Sequence, residues 1–150
     1  MTLHELLTPF AGEWKGYNSL WMMPGSDADE SAGTAVVSFS AQNKVTELRY
    51  TWSTDGDPED GLILLRELRG GVQAVWGDSW HTPDGFYLWN GDLQEGLITV
   101  RGSYPAPPGP DWGWRIEIDA RQSDVLRLLM YNITPDGEEM LAVQAVYSRI

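Results

Sequence analysis

The segment Trp76-Gly-Asp-Ser-Trp-His81 sets an acid, a hydroxyl and an imidazole within four residues, the three groups that a hydrolytic triad uses. A triad needs hydroxyl and imidazole face to face with an acid behind the imidazole, and Ser79 and His81 on one extended segment do not meet that way. An esterase opening on Gly-Asp-Ser also calls for a following helix and a late Asp-x-x-His, whereas the other histidine here is His4. His81 is therefore read as a loop residue after a strand. Asp55-Gly-Asp-Pro-Glu-Asp-Gly61 has acids at the first, third and fifth positions of a calcium loop. It lacks the glycine at the sixth and carries Arg66 where the twelfth needs a bidentate Glu, so it reads as a solvated acidic turn. Two distant histidines and no cysteine leave transition metals without a ligand set. No catalytic residue, metal site or cofactor is assigned, and the chain is read as a non-enzyme.

What remains is binding, and the elements must say where. Leu3, Leu6, Leu7 and Phe10 recur at helical spacing, which predicts a short helix ending near Pro9. Beyond it the period becomes two, over stretches at 12–23, 33–41, 44–53, 61–69, 72–77, 85–90, 96–102, 112–120, 124–132 and 138–149, separated by Gly-, Asp- and Pro-rich turns. Such a meander leaves two open edges unless it closes, so the expected fold is all-β: a ten-stranded antiparallel up-and-down barrel, in one domain over residues 1–150. A barrel of that size has room for a ligand. Pro105–Pro110 is read as a stiff loop between two strands.

Charge and composition narrow the partners. With 22 acidic against 10 basic residues the net charge is −12, which offers no cationic footprint to nucleic acid or to an anionic membrane. The absence of cysteine, of a basic leader and of a long apolar run points to a cytoplasmic protein.

Gly12-Glu-Trp14 after a short helix, together with Tyr147-Ser-Arg149 on the last strand, resembles the calycins, the lipocalins and fatty-acid-binding proteins. The wider pattern, adding Gly16, Trp76-Gly-Asp-Ser79 and Gly85, is similar to an uncharacterised family of bacterial lipocalin-like proteins. The resemblance implies that Trp14 caps the barrel floor and that Arg149 lies across its indole, a structural closure of first strand on last. Gly12 and Gly16 would let neighbouring backbone approach.

With Trp14 inward, alternation sends Gly16, Asn18, Leu20 and Met22 inward and Tyr17 and Trp21 outward. The more apolar phase of later strands adds Val37 and Phe39; Leu48, Tyr50 and Trp52; Val72, Ala74 and Trp76; Trp112, Trp114, Ile116 and Ile118; Leu126, Leu128 and Met130; and Val143, Ala145 and Tyr147. Leu62, Leu64, Arg66 and Leu68 share a phase, and the opposite one, with Glu67 and Arg69, looks like the solvent face. Arg66 is thus expected inside, where a ligand carboxylate would pair with it, as interior arginines do in the fatty-acid-binding relatives, unless it pairs with an internal acid or snorkels to a rim. The expected ligand-binding set is Asn18, Leu20, Phe39, Tyr50, Trp52, Arg66, Trp76, Trp114, Met130 and Tyr147, around a small, mostly apolar, lipid-like molecule bearing a carboxylate.

Three alternatives differ in class. A barrel filled by its own aromatics would work through its surface, with Trp21, Tyr17 and Leu65 forming a partner or homodimer face. A small-molecule enzyme would need a turnover lost on changing His81. The resemblance extends to nitrobindins, which hold haem on a histidine near the C-terminal end; here Gln144 and Ser148 stand in that region, so a haem ligand requires His81 to swing over the barrel mouth.

Overall fold

The computed structural model describes residues 1–150. Helix α1 (Leu3–Leu7) continues into a 3-10 turn (Thr8–Phe10), and ten strands follow: β1 (Gly12–Leu20), β2 (Asp29–Ser40), β3 (Val45–Thr54), β4 (Asp57–Leu68), β5 (Gly71–Asp78), β6 (Tyr87–Gln94), β7 (Leu97–Tyr104), β8 (Trp112–Gln122), β9 (Val125–Ile133) and β10 (Glu139–Arg149). Each strand pairs antiparallel with its sequence neighbours, and β1 pairs with β10, so the sheet is a closed up-and-down barrel without edges. No helix is long and apolar enough to cross a membrane.

Local chemistry sets the register. Asp55-Gly56, Arg69-Gly70 and Glu95-Gly96 are two-residue loops with both φ angles positive, the geometry that matches the twist of the strands they join. At the seam Gly16 faces Tyr147, and a Cβ at Gly16 would stand 1.8 Å from the Val146 carbonyl oxygen. Only a residue without a side chain lets β10 approach there.

One end of the barrel is plugged. Thr2 caps α1, its Oγ1 accepting from the Glu5 N–H at 3.0 Å while the Glu5 carboxylate accepts from the Thr2 N–H at 2.9 Å. The amide of Leu3 donates to Glu67 at the end of β4, which ties the helix to the wall. Leu3, Leu6, Leu7 and Phe10 are buried against Trp14, whose Nε1 donates to the Phe10 carbonyl at 2.9 Å. The Arg149 guanidinium lies 4.3 Å from the Trp14 ring centroid and donates to the carbonyls of Ala11, at 2.8 Å, and Pro9. Above this floor Ile63, Leu65, Ile98, Val100, Ile116, Ile118, Leu126, Leu128 and Met130 fill the lumen. The gap left between Leu7, Leu48, Leu65 and Ile118 is about 10 Å³.

Strand β4 corrects the expected phase. Ile63 and Leu65 are the buried residues, whereas Arg66 is exposed, and Leu65 is therefore not part of any outer surface. Glu67 and Arg69 do not mark a solvent face for the strand. They stand at the floor-end limit of the strand, where Glu67 meets the helix and Arg69 is in the turn, and they say nothing about the phase of its middle. Met22 is likewise exposed, since β1 ends at Leu20 and alternation stops with it.

Candidate functional site

The other end of the barrel is built differently. Strand β5 ends on Asp78, and the connection to β6 folds back over the mouth. Asp78 Oδ1 accepts the N–H groups of Trp80 and His81, each at 2.8 Å. The Asp78 N–H in turn donates to Thr82 Oγ1 at 2.8 Å, and the Thr82 N–H returns to the Asp78 carbonyl at 3.0 Å. An aspartate that collects the two following amides reverses the chain within one turn. That reversal carries His81 inward and leaves Ser79 exposed, where its hydroxyl donates to Glu59 at 2.8 Å. The acid, hydroxyl and imidazole of this segment thus have separate partners.

His81 lands among tryptophans. Its ring stacks on Trp52 (5.4 Å, 25°), meets Trp80 edge-on (4.8 Å, 90°) and lies against Trp76 and Trp114 at 5.8 and 5.4 Å. Trp76 stacks on Trp114 at 5.5 Å, and Trp89 stacks on Tyr87 at 5.1 Å. Each such pair contributes about 0.5–1.5 kcal/mol beyond the area it buries. Between them opens a cleft of about 200 Å³ walled by Trp76, Trp80, His81, Tyr87, Trp89, Tyr104 and Trp114. Gly102 makes the space for one wall, since a Cβ there would stand 1.9 Å from Trp89 Cδ1.

A hydrogen-bonded base supports the cleft. Trp76 Nε1 donates to Tyr50 Oη at 2.9 Å, and that hydroxyl donates to Asp78 Oδ2 at 2.6 Å. Burial, with the Asp78 charge beside it, pushes the Tyr50 phenol well above its ordinary pKa, so it stays a donor. Both Asp78 oxygens are thereby occupied. Burial pulls the His81 imidazole below its usual value, against the opposing pull of Asp78, so the ring is neutral at pH 7. On the far side Tyr104 donates to Asn132 Oδ1 at 2.6 Å. Four buried polar groups of the lumen find no partner in the chain: Trp114 Nε1, Trp52 Nε1, Asn18 Nδ2 and the Tyr147 hydroxyl. Buried donors without acceptors are costly, and they mark where a polar atom from outside the chain would be accepted.

The residues expected to meet a ligand divide accordingly. Trp76 and Trp114 wall the cleft, Trp52 backs His81, and Tyr50 braces the base. Asn18, Leu20, Met130 and Tyr147 are buried within the barrel but do not border the cleft. Phe39 lies at the floor end, edge-on to His4 at 4.7 Å, because β2 runs from mouth to floor and places it near its last residue. Arg66 borders a polar hollow of about 300 Å³ outside the floor, with Thr2, His4, Lys44 and Glu67. Neither belongs with the aromatic group. Trp80, His81, Tyr87, Trp89 and Tyr104 were not expected there. Alternation on β6 signals Tyr87 and Trp89 once a phase is chosen; nothing local signals the inward turn of Trp80 and His81.

His81 does reach over the mouth, which a haem ligand would require. Its ring is covered by Trp52 and Trp80, and about 200 Å³ lies below the ~300–1,000 Å³ of pockets for drug-sized ligands. With the 79–86 segment in this position the residues do not fit a tetrapyrrole.

Over residues 1–149 the chain matches the family described as "Protein of unknown function (DUF1579)", and it belongs to that family. Among solved structures it is similar to Rv2717c from M. tuberculosis, with 18% identity and a TM-score of 0.63 over 100% of this chain and 99% of that one, a likeness of fold. It is also similar to a protein of unknown function from the DUF3598 family (NPUN_R4044) of Nostoc punctiforme PCC 73102, at 11% identity and a TM-score of 0.44 over 96% of this chain and 49% of that one. No curated protein matches the sequence.

Proposed function

We propose that this DUF1579 protein binds a small, flat, mostly apolar molecule in the aromatic cleft at the open end of its barrel, without doing chemistry on it. The closed ten-stranded barrel is compatible with a calycin-like fold, and in this reading the mouth rather than the whole lumen is the pocket. The observation that carries it is the cleft of about 200 Å³ whose seven wall residues are six aromatics and a neutral imidazole. Convergent ring faces with few polar groups suit an apolar planar body. The Trp114 N–H, buried and unpartnered, supplies one donor for an acceptor on that body.

The carboxylate expected on the ligand has lost its basis. Arg66 is outside, and no arginine or lysine is buried in the barrel. A carboxylate placed among the tryptophans would be desolvated with no cation to meet it. The reading without chemistry is supported by the groups at hand: both Asp78 oxygens are engaged by donors, Ser79 faces away, and the His81 ring is packed flat against Trp52. None is poised as a general base.

Native mass spectrometry of the protein from its own cell extract would capture a resident ligand, and calorimetric titration with 1-naphthylmethanol would probe the cleft directly. Saturable binding is expected, weakened roughly fivefold by Trp114→Phe, the value of about one lost hydrogen bond. Failure of this probe, of other neutral two-ring aromatics and of their charged analogues to bind would overturn the reading.

A further inference from the structure

The connections around the cleft carry charge of a single sign. Five of them lie at the open end, 21–28, 55–56, 79–86, 105–111 and 134–138, and they hold Asp27, Asp55, Asp84, Asp111, Asp136 and Glu138 with no Lys or Arg. All six carboxylates are exposed. The four connections at the floor, 41–44, 69–70, 95–96 and 123–124, hold Lys44, Arg69, Glu95 and Asp124, two of each sign. The negative rim is therefore a property of the open end and not a dilution of the net charge of −12 over the whole surface. On the wall below it the basic side chains Arg101 and Arg115 stand on the outer face, and Arg115 is engaged by Glu117 and Glu139 and lies 4.0 Å from the Tyr131 ring centroid.

Two features of the same end act in one direction. A ring of carboxylates over a low-dielectric mouth concentrates cations and repels anions. The rings beneath carry negative quadrupoles on their faces, so a cation seated over one of them is favoured as well. A third feature asks for a ligand with an acceptor on its apolar body: Trp114 is 8% exposed, borders the cleft, and has an indole N–H with no partner, so a cationic group, which only donates, belongs away from it at the mouth.

We infer that the ligand is an amphipathic organic cation, with a flat apolar body between the rings and an ammonium or amidinium group held at the mouth between ring faces and rim carboxylates. This rests on the reading of the cleft given above and adds the charge of what it takes. The cation keeps part of its hydration at the rim, so the pairing needs no buried counter-ion.

Three probes that share one ring system separate the cases: 1-naphthylmethylammonium, neutral 1-naphthylmethanol and anionic 1-naphthylacetate, titrated calorimetrically at 20 and 500 mM salt. At low salt the cation should bind on the order of tenfold more tightly than the alcohol, and the anion more weakly than either. At high salt, where the screening length is about 4 Å, the advantage should shrink to about twofold. Asp84→Asn combined with Asp111→Asn should reduce the preference for the cation and leave the affinity of the alcohol unchanged. Equal binding of cation and alcohol at low salt, or preference for the anion, overturns this inference while the cleft stands. If none of the three binds, the cleft reading falls and this falls with it.

Discussion

His81 shows how much one side chain's surroundings decide. Enclosed by four tryptophans, it is held neutral by burial, and Asp78 only partly opposes this. An unfolded histidine titrates near ~6.5, so between that value and the lower folded one the unfolded chain binds more protons. Stability should be complete above about pH 6.5 and should decline as pH falls below it. Melting temperatures between pH 7.5 and 5 would show this, and His81→Phe should flatten the slope; an equal slope in both proteins would assign it elsewhere. Asp119 acts in a lower window. Its carboxyl is held below its usual range by hydrogen bonds from Arg121, so its stabilisation is present above the ordinary carboxylate range and is lost as pH falls below it. The inward turn of His81 was not legible in the sequence, because it depends on Asp78 collecting two amides and on tryptophans contributed by β3, β5 and β8.

Elements place those side chains, and small residues decide how closely. On β7 Gly102 leaves room for the Trp89 ring of β6, which stacks on Tyr87 and lies 5.6 Å from Trp76. Gly102→Ala should push Trp89 aside, cost about 1–3 kcal/mol as overpacking does, and change the near-ultraviolet circular dichroism while the barrel persists. An unchanged aromatic spectrum would mean that Trp89 is free to move. Alternation made most of the wall readable: Trp14, Tyr50, Trp52, Trp76, Trp114, Leu128 and Tyr147 are all buried, as the apolar phase of their strands requires. Strand β4 departs from the expected phase: Ile63 and Leu65 in its middle face in, and the charges at its end do not bear on that. Period two constrains which residues share a face, but a strand whose two faces are both largely aliphatic does not say which is inside.

At the scale of the whole molecule the barrel has a closed floor and an aromatic mouth, and the first and last strands must meet for either to exist. Arg149 binds that seam through the Trp14 ring and the carbonyls of Ala11 and Pro9. Arg149 is exposed, so Arg149→Met should cost roughly 1–2 kcal/mol, a cation–π contact and hydrogen bonds discounted for solvent screening. Urea unfolding followed by tryptophan emission would measure it; a loss under about 0.5 kcal/mol, the level of an ordinary surface change, would mean that hydrogen bonding between β1 and β10 suffices. Period and turn chemistry are local properties, so the sequence by itself determined the short helix, the ten strands and, through the edges an open meander would leave, their closure; the capped floor was implied only by the resemblance that Trp14 and Arg149 carry. The cleft depends on distances between residues far apart in the chain: Trp52, Trp76, His81 and Trp114 meet only when the barrel closes and the 79–86 connection folds across it. The same closure gathers the carboxylates of five separate turns onto one rim, an arrangement that exists only in three dimensions.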